Sequence, residues 1–92
     1  MKTIELDAER WRSHEDFYEA LLPEIGAPKW HGHNRDALWD SIVHGDINGV
    51  SPPFAVRVHN VQEGDLKSFL QSVEVLFREA RAEGIDVQFT LS

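Results

Sequence analysis

Polar and apolar residues alternate over Lys2-Thr3-Ile4-Glu5-Leu6, which predicts a short strand with Ile4 and Leu6 on one face. Ser13, followed three residues later by Asp16, reads as the N-cap and capping-box partner of a helix. The apolar stripe of that helix is Phe17, Leu21, Leu22 and Ile25. Pro23 lacks the N–H for an i to i−4 bond, so the helix is expected to end near Leu22 or to kink there. Because Ile25 still falls on the stripe, a kinked or terminal turn is favoured. Residues 26–33 form a loop of turn-formers that carries Trp30. Asn34 is placed to cap the next helix, Arg35 to His44, which Gly45 ends. A second loop, rich in Gly and Pro, runs from Asp46 to Pro53.

The clearest alternation is Phe54–His59, with Phe54, Val56 and Val58 inward and Arg57 and His59 outward. Asp65 is expected to cap a long helix whose apolar positions are Leu66, Phe69, Leu70, Val73, Leu76, Phe77 and Ala80. Their separations of three and four make one face. Gly84 stops the helix, and Val87–Leu91 is a last alternating strand. Strands separated by helices imply parallel pairing through crossovers. Parallel strands covered on both faces would be almost continuously apolar, whereas these alternate. The expected fold is therefore α/β: a three-stranded parallel sheet with helices packed on one face, in a single domain over residues 1–92.

Composition narrows what such a domain can do. The 92 residues contain no cysteine, which excludes disulfides, thiolate catalysis and Cys-ligated zinc. The formal net charge is −7, which argues against nucleic-acid backbone binding and favours basic or neutral partners. No apolar run approaches the ~18 residues that would span a bilayer, and the start lacks a basic-then-apolar leader pattern. A cytoplasmic protein with no membrane partner is expected.

The unusual chemistry lies in Trp30 to Val43, W-H-G-H-N-R-D-A-L-W-D-S-I-V. At 100° per residue with Asp36 at zero, Asp40 falls at about 40°, Val43 at about −20° and Trp39 at about −60°. Leu38 and Ile42 fall opposite, near about 200° and 240°, and are the expected core residues. The outer face thus shows a Trp beside two carboxylates one turn apart. One reading is a recognition face, an aromatic anchor with carboxylates for a cationic partner. Another is a solvated acidic surface with a half-tucked Trp. A third, an acid and base pair, is disfavoured because a helix surface offers no cleft to raise one pKa. His31 and His33 invite a metal site with Asp36 or Asp40, but H-x-H in a loop is equally plain polar surface, and no metal or cofactor is expected. There is no nucleophile elbow and no phosphate-cradling glycine loop. Glu79, on the long helix, reads on its own as a surface carboxylate.

The segment Pro28-Lys29-Trp30-His31-Gly32-His33-Asn34-Arg35-Asp36-Ala37-Leu38-Trp39-Asp40 resembles the signature of the barstar family of intracellular ribonuclease inhibitors. A second similarity is Phe77-Arg78-Glu79-Ala80-Arg81-Ala82-Glu83-Gly84 with the aliphatic strand after it, and the order of elements agrees over essentially the whole chain. The resemblance implies a non-enzymatic inhibitor that plugs the active site of a small basic ribonuclease in a 1:1 complex. It implies that Asp40 occupies a phosphate subsite as the main anchor and that Asp36 pairs with neighbouring cations. Trp30, where the family often has Tyr, would pack across the catalytic histidine. Trp39 would support the face, Asn34 and Gly32 would shape the loop, and Glu79 would add a peripheral charge contact. Val43, with His44 and Gly45, departs from the prototype's polar residue, glycine and aromatic at an enzyme-contacting segment. The family's cysteines are absent, and one long helix from Asp65 replaces a broken two-helix segment. The expected partner is accordingly an extracellular-type basic ribonuclease or a nuclease toxin domain, the alternative being an immunity or interaction module on the same fold with a partner of another kind.

Overall fold

The computed structural model of the protein describes residues 1–44 and 47–92. The elements in chain order are β1 (Lys2–Asp7), α1 (His14–Glu24), α2 (Arg35–Val43), β2 (Phe54–His59), α3 (Asp65–Ala82) and β3 (Val87–Leu91). The strands pair in the order β1-β2-β3, all parallel, with Ile4 opposite Val56 and Val56 opposite Phe89. That register lines up the apolar side chains of all three strands on one face. Ile4, Leu6, Phe54, Val56, Val58, Val87 and Phe89 are all buried there, against the helices. The other face carries Thr3, Glu5, Arg57, Gln88 and Thr90, all exposed. A three-stranded parallel sheet with helices on one face is thus the observed architecture.

The core is rich in aromatic packing. Phe17 meets Phe69 and Phe89 edge to face at 5.6 and 6.1 Å, and Phe77 meets Phe54 and Phe89 at 6.3 and 5.0 Å. Such contacts add directional preference to the burial of large apolar area. The α3 positions read from spacing, Phe69, Leu70, Val73, Leu76, Phe77 and Ala80, are all buried, with Leu66 half-buried at the end. Among the described residues no helix is long and apolar enough to cross a membrane.

Local chemistry sets the helix ends, with some differences from expectation. Asp16 accepts from the backbone N–H groups of Ser13 at 3.1 Å and Arg12 at 2.7 Å, closing the first turn of α1. Pro23 does not end α1 at Leu22. The helix runs to Glu24 because the next donor, the Ile25 N–H, bonds to Leu21 at 3.1 Å, which drops Ile25 into the core. The N-cap of α3 is Gly64 rather than Asp65, since the Ser68 N–H already bonds to the Gly64 carbonyl at 3.2 Å. Asp65 instead opens the helix, where a carboxylate is favoured by the helix dipole. The helix α2 stops at Val43 with His44 as its C-cap, whose N–H bonds to Asp40 at 2.9 Å. The expected stop at Gly45 and the loop start at Asp46 lie outside the described residues.

A candidate partner-binding face on α2 and α3

Asn34 fixes where α2 begins. Its backbone is extended, with φ −153°, and its side-chain oxygen accepts from the Ala37 N–H at 2.8 Å. From that start the turn of the helix does what the wheel predicts. Leu38 and Ile42 are buried in the core, while Asp36 and Asp40 are exposed. Ser41, also on the inner side, is satisfied by donating to the Leu38 carbonyl at 3.1 Å. Trp39 and Val43 are half-buried and pack against the core, so each presents an edge rather than a whole side chain to solvent.

Beside α2 lies α3, and a groove of about 400 Å³ opens between them. Its walls include Arg35, Asp36 and Trp39 from α2 and Ser72, Val75 and Glu79 from α3. Glu79, unremarkable in sequence, therefore stands across a shared groove from Asp36. The second helix supplies this groove, which no local pattern in α2 could, and of the two aspartates only Asp36 lines it. The carboxylates nevertheless remain exposed, and among the described residues none of Asp36, Asp40 and Glu79 takes part in a salt bridge. Two aspartates one helical turn apart repel each other, a cost of a few tenths of a kcal/mol for about 5–6 Å of separation. The arrangement is open to a cationic partner.

The groove lining contains residues that sequence reasoning missed. Val75 is 41 % exposed on an otherwise polar strip of α3, between Ser72 and Glu79. An apolar residue standing off the buried stripe was the available signal. Trp30 and Asp40 are not among the lining residues. Trp30 sits on the loop before α2 and is 73 % exposed, a large aromatic surface with little cover.

His31, expected as polar loop surface, is instead buried at 4 % exposure, with its Nδ1 at 2.7 Å from the Gly32 carbonyl. The contact to a carbonyl requires Nδ1 to carry the proton. His33 points the other way, stacked on Tyr18 with ring centroids 5.8 Å apart and paired with Glu15. The two histidines thus diverge, and among the described residues no group of three metal-ligating side chains forms. Burial pushes the Tyr18 hydroxyl up to about 12, with Arg35 pulling downward and Glu15 upward. Tyr18 is a neutral phenol at any ordinary pH.

The sequence matches the family model described as Barstar (barnase inhibitor) over residues 1–92. The chain belongs to the barstar family. In general terms, membership of the barstar family brings a ribonuclease-inhibitor function and a ribonuclease-type partner. The segment Pro28 to Asp40, on which the resemblance rests, covers the exposed Trp loop and the acidic face of α2, and Glu79 faces that helix from α3.

Proposed function

We propose that this chain inhibits a small basic ribonuclease by seating the acidic face of α2, the Trp30 loop and the rim of α3 in the enzyme's active-site cleft. Asp40 is the anchor, its carboxylate standing where an RNA phosphate would sit among the enzyme's cations. Asp36 pairs with cationic groups beside it, and Glu79 adds a charge contact across the groove. Trp30 packs on the face of the catalytic imidazole. Trp39 and Val43 back the surface, while Gly32 and Asn34 hold the loop against the start of α2. The inhibitor performs no chemistry and acts as a cytoplasmic monomer in a 1:1 complex.

The observation that carries this reading is a set of exposed carboxylates with no salt bridge among the described residues, beside an exposed aromatic on the loop before α2. A carboxylate buried at an interface costs several kcal/mol unless cations and hydrogen bonds match it. A site built to hold RNA phosphate supplies that match. The same site is basic, so a chain of net charge −7 approaches it under long-range attraction.

The test is a titration of RNA cleavage by barnase and several other small basic microbial ribonucleases against the chain. Stoichiometric loss of activity at nanomolar concentration, abolished by Asp40→Ala with the fold intact, is the expected result. If none of these enzymes is inhibited, the ribonuclease-plug reading fails, and the acidic face serves an immunity or interaction role with another partner.

A further inference from the structure

The groove between α2 and α3 does not end at Asp36. A second open groove, of about 410 Å³, adjoins it at Arg35 and Ser72 and continues to the N-terminal ends of α1 and α3. Along α3 the two are lined by Ser68, Ser72, Val75 and Glu79, spaced four, three and four, a single stripe of the helix. The chemistry changes along that stripe. At the Glu79 end the polar groups are carboxylates. At the other end they are mostly donors: the Arg35 guanidinium, the His14 ring and the Ser68 hydroxyl, with Asp65 the lone carboxylate among the lining residues. The ring of His14 is stacked on Phe69 with centroids 3.9 Å apart and planes 11° from parallel.

Arg35 is the unexpected residue. It is the first residue of α2, where the helix dipole disfavours a cation. It is exposed, and among the described residues it makes no salt bridge, although the chain carries a large excess of carboxylates. Most cations of the chain are likewise without a salt bridge among the described residues, so what sets Arg35 apart is its place: at a helix start that does not favour a cation, and on the rim shared by both grooves, where a partner on the α2 face would meet it. We propose that Arg35 is a specificity-determining residue, received by an acidic side chain on the rim of the cleft of the ribonuclease that this chain inhibits. This inference rests on the ribonuclease-plug reading above. Its recognition rule has two parts: enzyme cations opposite Asp36, Asp40 and Glu79, and one enzyme carboxylate opposite Arg35, His14 and Ser68. A guanidinium suits that role because its planar fork donates two N–H bonds to one carboxylate.

Overall charge and this local contact predict opposite signs for one substitution. Arg35→Glu makes the chain more acidic, so attraction to a basic enzyme alone would leave binding equal or tighter. The local contact requires Arg35→Glu to weaken binding by about tenfold or more, with a smaller loss for Arg35→Leu. The measurement uses whichever of barnase and the other small basic ribonucleases the wild-type chain inhibits, with dissociation constants of wild type, Arg35→Leu, Arg35→Glu and Asp40→Ala. Thermal melts accompany it, and removal of a cation from the start of α2 is expected to leave the fold at least as stable. Each acidic residue on the enzyme's rim is then changed to its amide, and one such change is expected to remove most of the Arg35→Glu defect. If Arg35→Glu binds as tightly as wild type or tighter, or no enzyme amide variant relieves it, the inference is overturned. When Asp40→Ala abolishes inhibition in the same series, that failure leaves the ribonuclease-plug reading standing. When wild type inhibits none of the enzymes, both fall together.

Discussion

The side-chain nitrogen of Asn34 lies 3.0 Å from the point that a Cβ on Gly32 would occupy, with the Ala37 Cβ 3.1 Å from it on the same side. Asn34 and Ala37 are the two ends of the hydrogen bond that caps α2. The loop that carries Trp30 is therefore packed directly on the cap that orients Asp36 and Asp40, and a Cβ at Gly32 would crowd both.

Gly32→Ala is expected to push Asn34 off its cap. The loss should approach that of Asn34→Ala, about 1 kcal/mol for an N-cap amide. Denaturant midpoints of the two variants check this, and the double variant should cost little more than either single one because both act on the same bond. Affinity for the inhibited ribonuclease should fall by more than stability does, since the start of α2 sets the aim of both aspartates. Equal stability of wild type and Gly32→Ala would show that Asn34 yields without losing its bond.

The sequence made the fold legible where side chains obey a local period. Ile4 and Leu6, the Phe54–Val58 alternation and the α3 stripe from Phe69 to Ala80 all occupy the burial that their spacing implies. What it hid was set by contacts between distant segments. The depth of the α2 and α3 groove comes from two helices meeting, and the burial of His31 is marked by no local period. Helix ends moved by a residue where a backbone carbonyl, which has no sequence identity, made the deciding bond, as Gly64 does for Ser68. The candidate face was legible because an acidic pair and a Trp sit on the solvent side of one short helix, and Val75 was missed because α3 was read for its buried stripe alone.

Asp40 is exposed in the free chain and makes no salt bridge among the described residues. Asp40→Ala is accordingly expected to leave the melting temperature unchanged or slightly raised, since it relieves repulsion from Asp36. Binding should weaken by about 2–5 kcal/mol, the usual cost of truncating one member of a buried interfacial charge pair. Asp36→Ala should weaken it less. Calorimetric melting and inhibition titrations of the two variants test the order, and an Asp40→Ala variant that inhibits like wild type would remove the anchor from the proposed mechanism.

On the wet face of the sheet, the hydrogen bond from His59, at 2.5 Å, holds the Glu5 carboxyl below its usual range, with Arg57 assisting at 3.5 Å. The Asp7 carboxyl is lowered first by the Asn60 side-chain amide at 3.0 Å and then by the Glu9 N–H at 2.9 Å. A carboxylate whose pKa is lower folded than unfolded stabilises the fold above its unfolded pKa. That contribution fades as pH falls through the folded value. The ordinary values here are 4.5 for Glu5 and 3.8 for Asp7, so the loss begins below about pH 4.5 and continues downward. Urea midpoints between pH 6 and pH 3 should decline in that window, and Glu5→Gln should flatten part of the decline. A Glu5→Gln profile parallel to wild type throughout would show that this network does not contribute.

Two glycines with positive φ offer a paired test of what closes the helix layer. Gly26 has φ +69°, and a Cβ there would stand 2.9 Å from both the N and Cα of Gly49. The Gly49 N–H donates to the Gly26 carbonyl at 2.9 Å, and the Val50 N–H to the Ile25 carbonyl at 3.0 Å, tying the end of α1 to the segment that leads into β2. Gly84 has φ +88° after α3, but a Cβ there would meet nothing within 4 Å. Gly84→Ala should therefore cost only the left-handed penalty, about 1–2 kcal/mol. Gly26→Ala should cost that amount plus about 1–3 kcal/mol for forcing two backbone segments apart. Denaturant midpoints measured side by side separate the two terms. Equal losses at both positions would mean that the Gly26 and Gly49 segments part freely and that the seam between them adds little to stability.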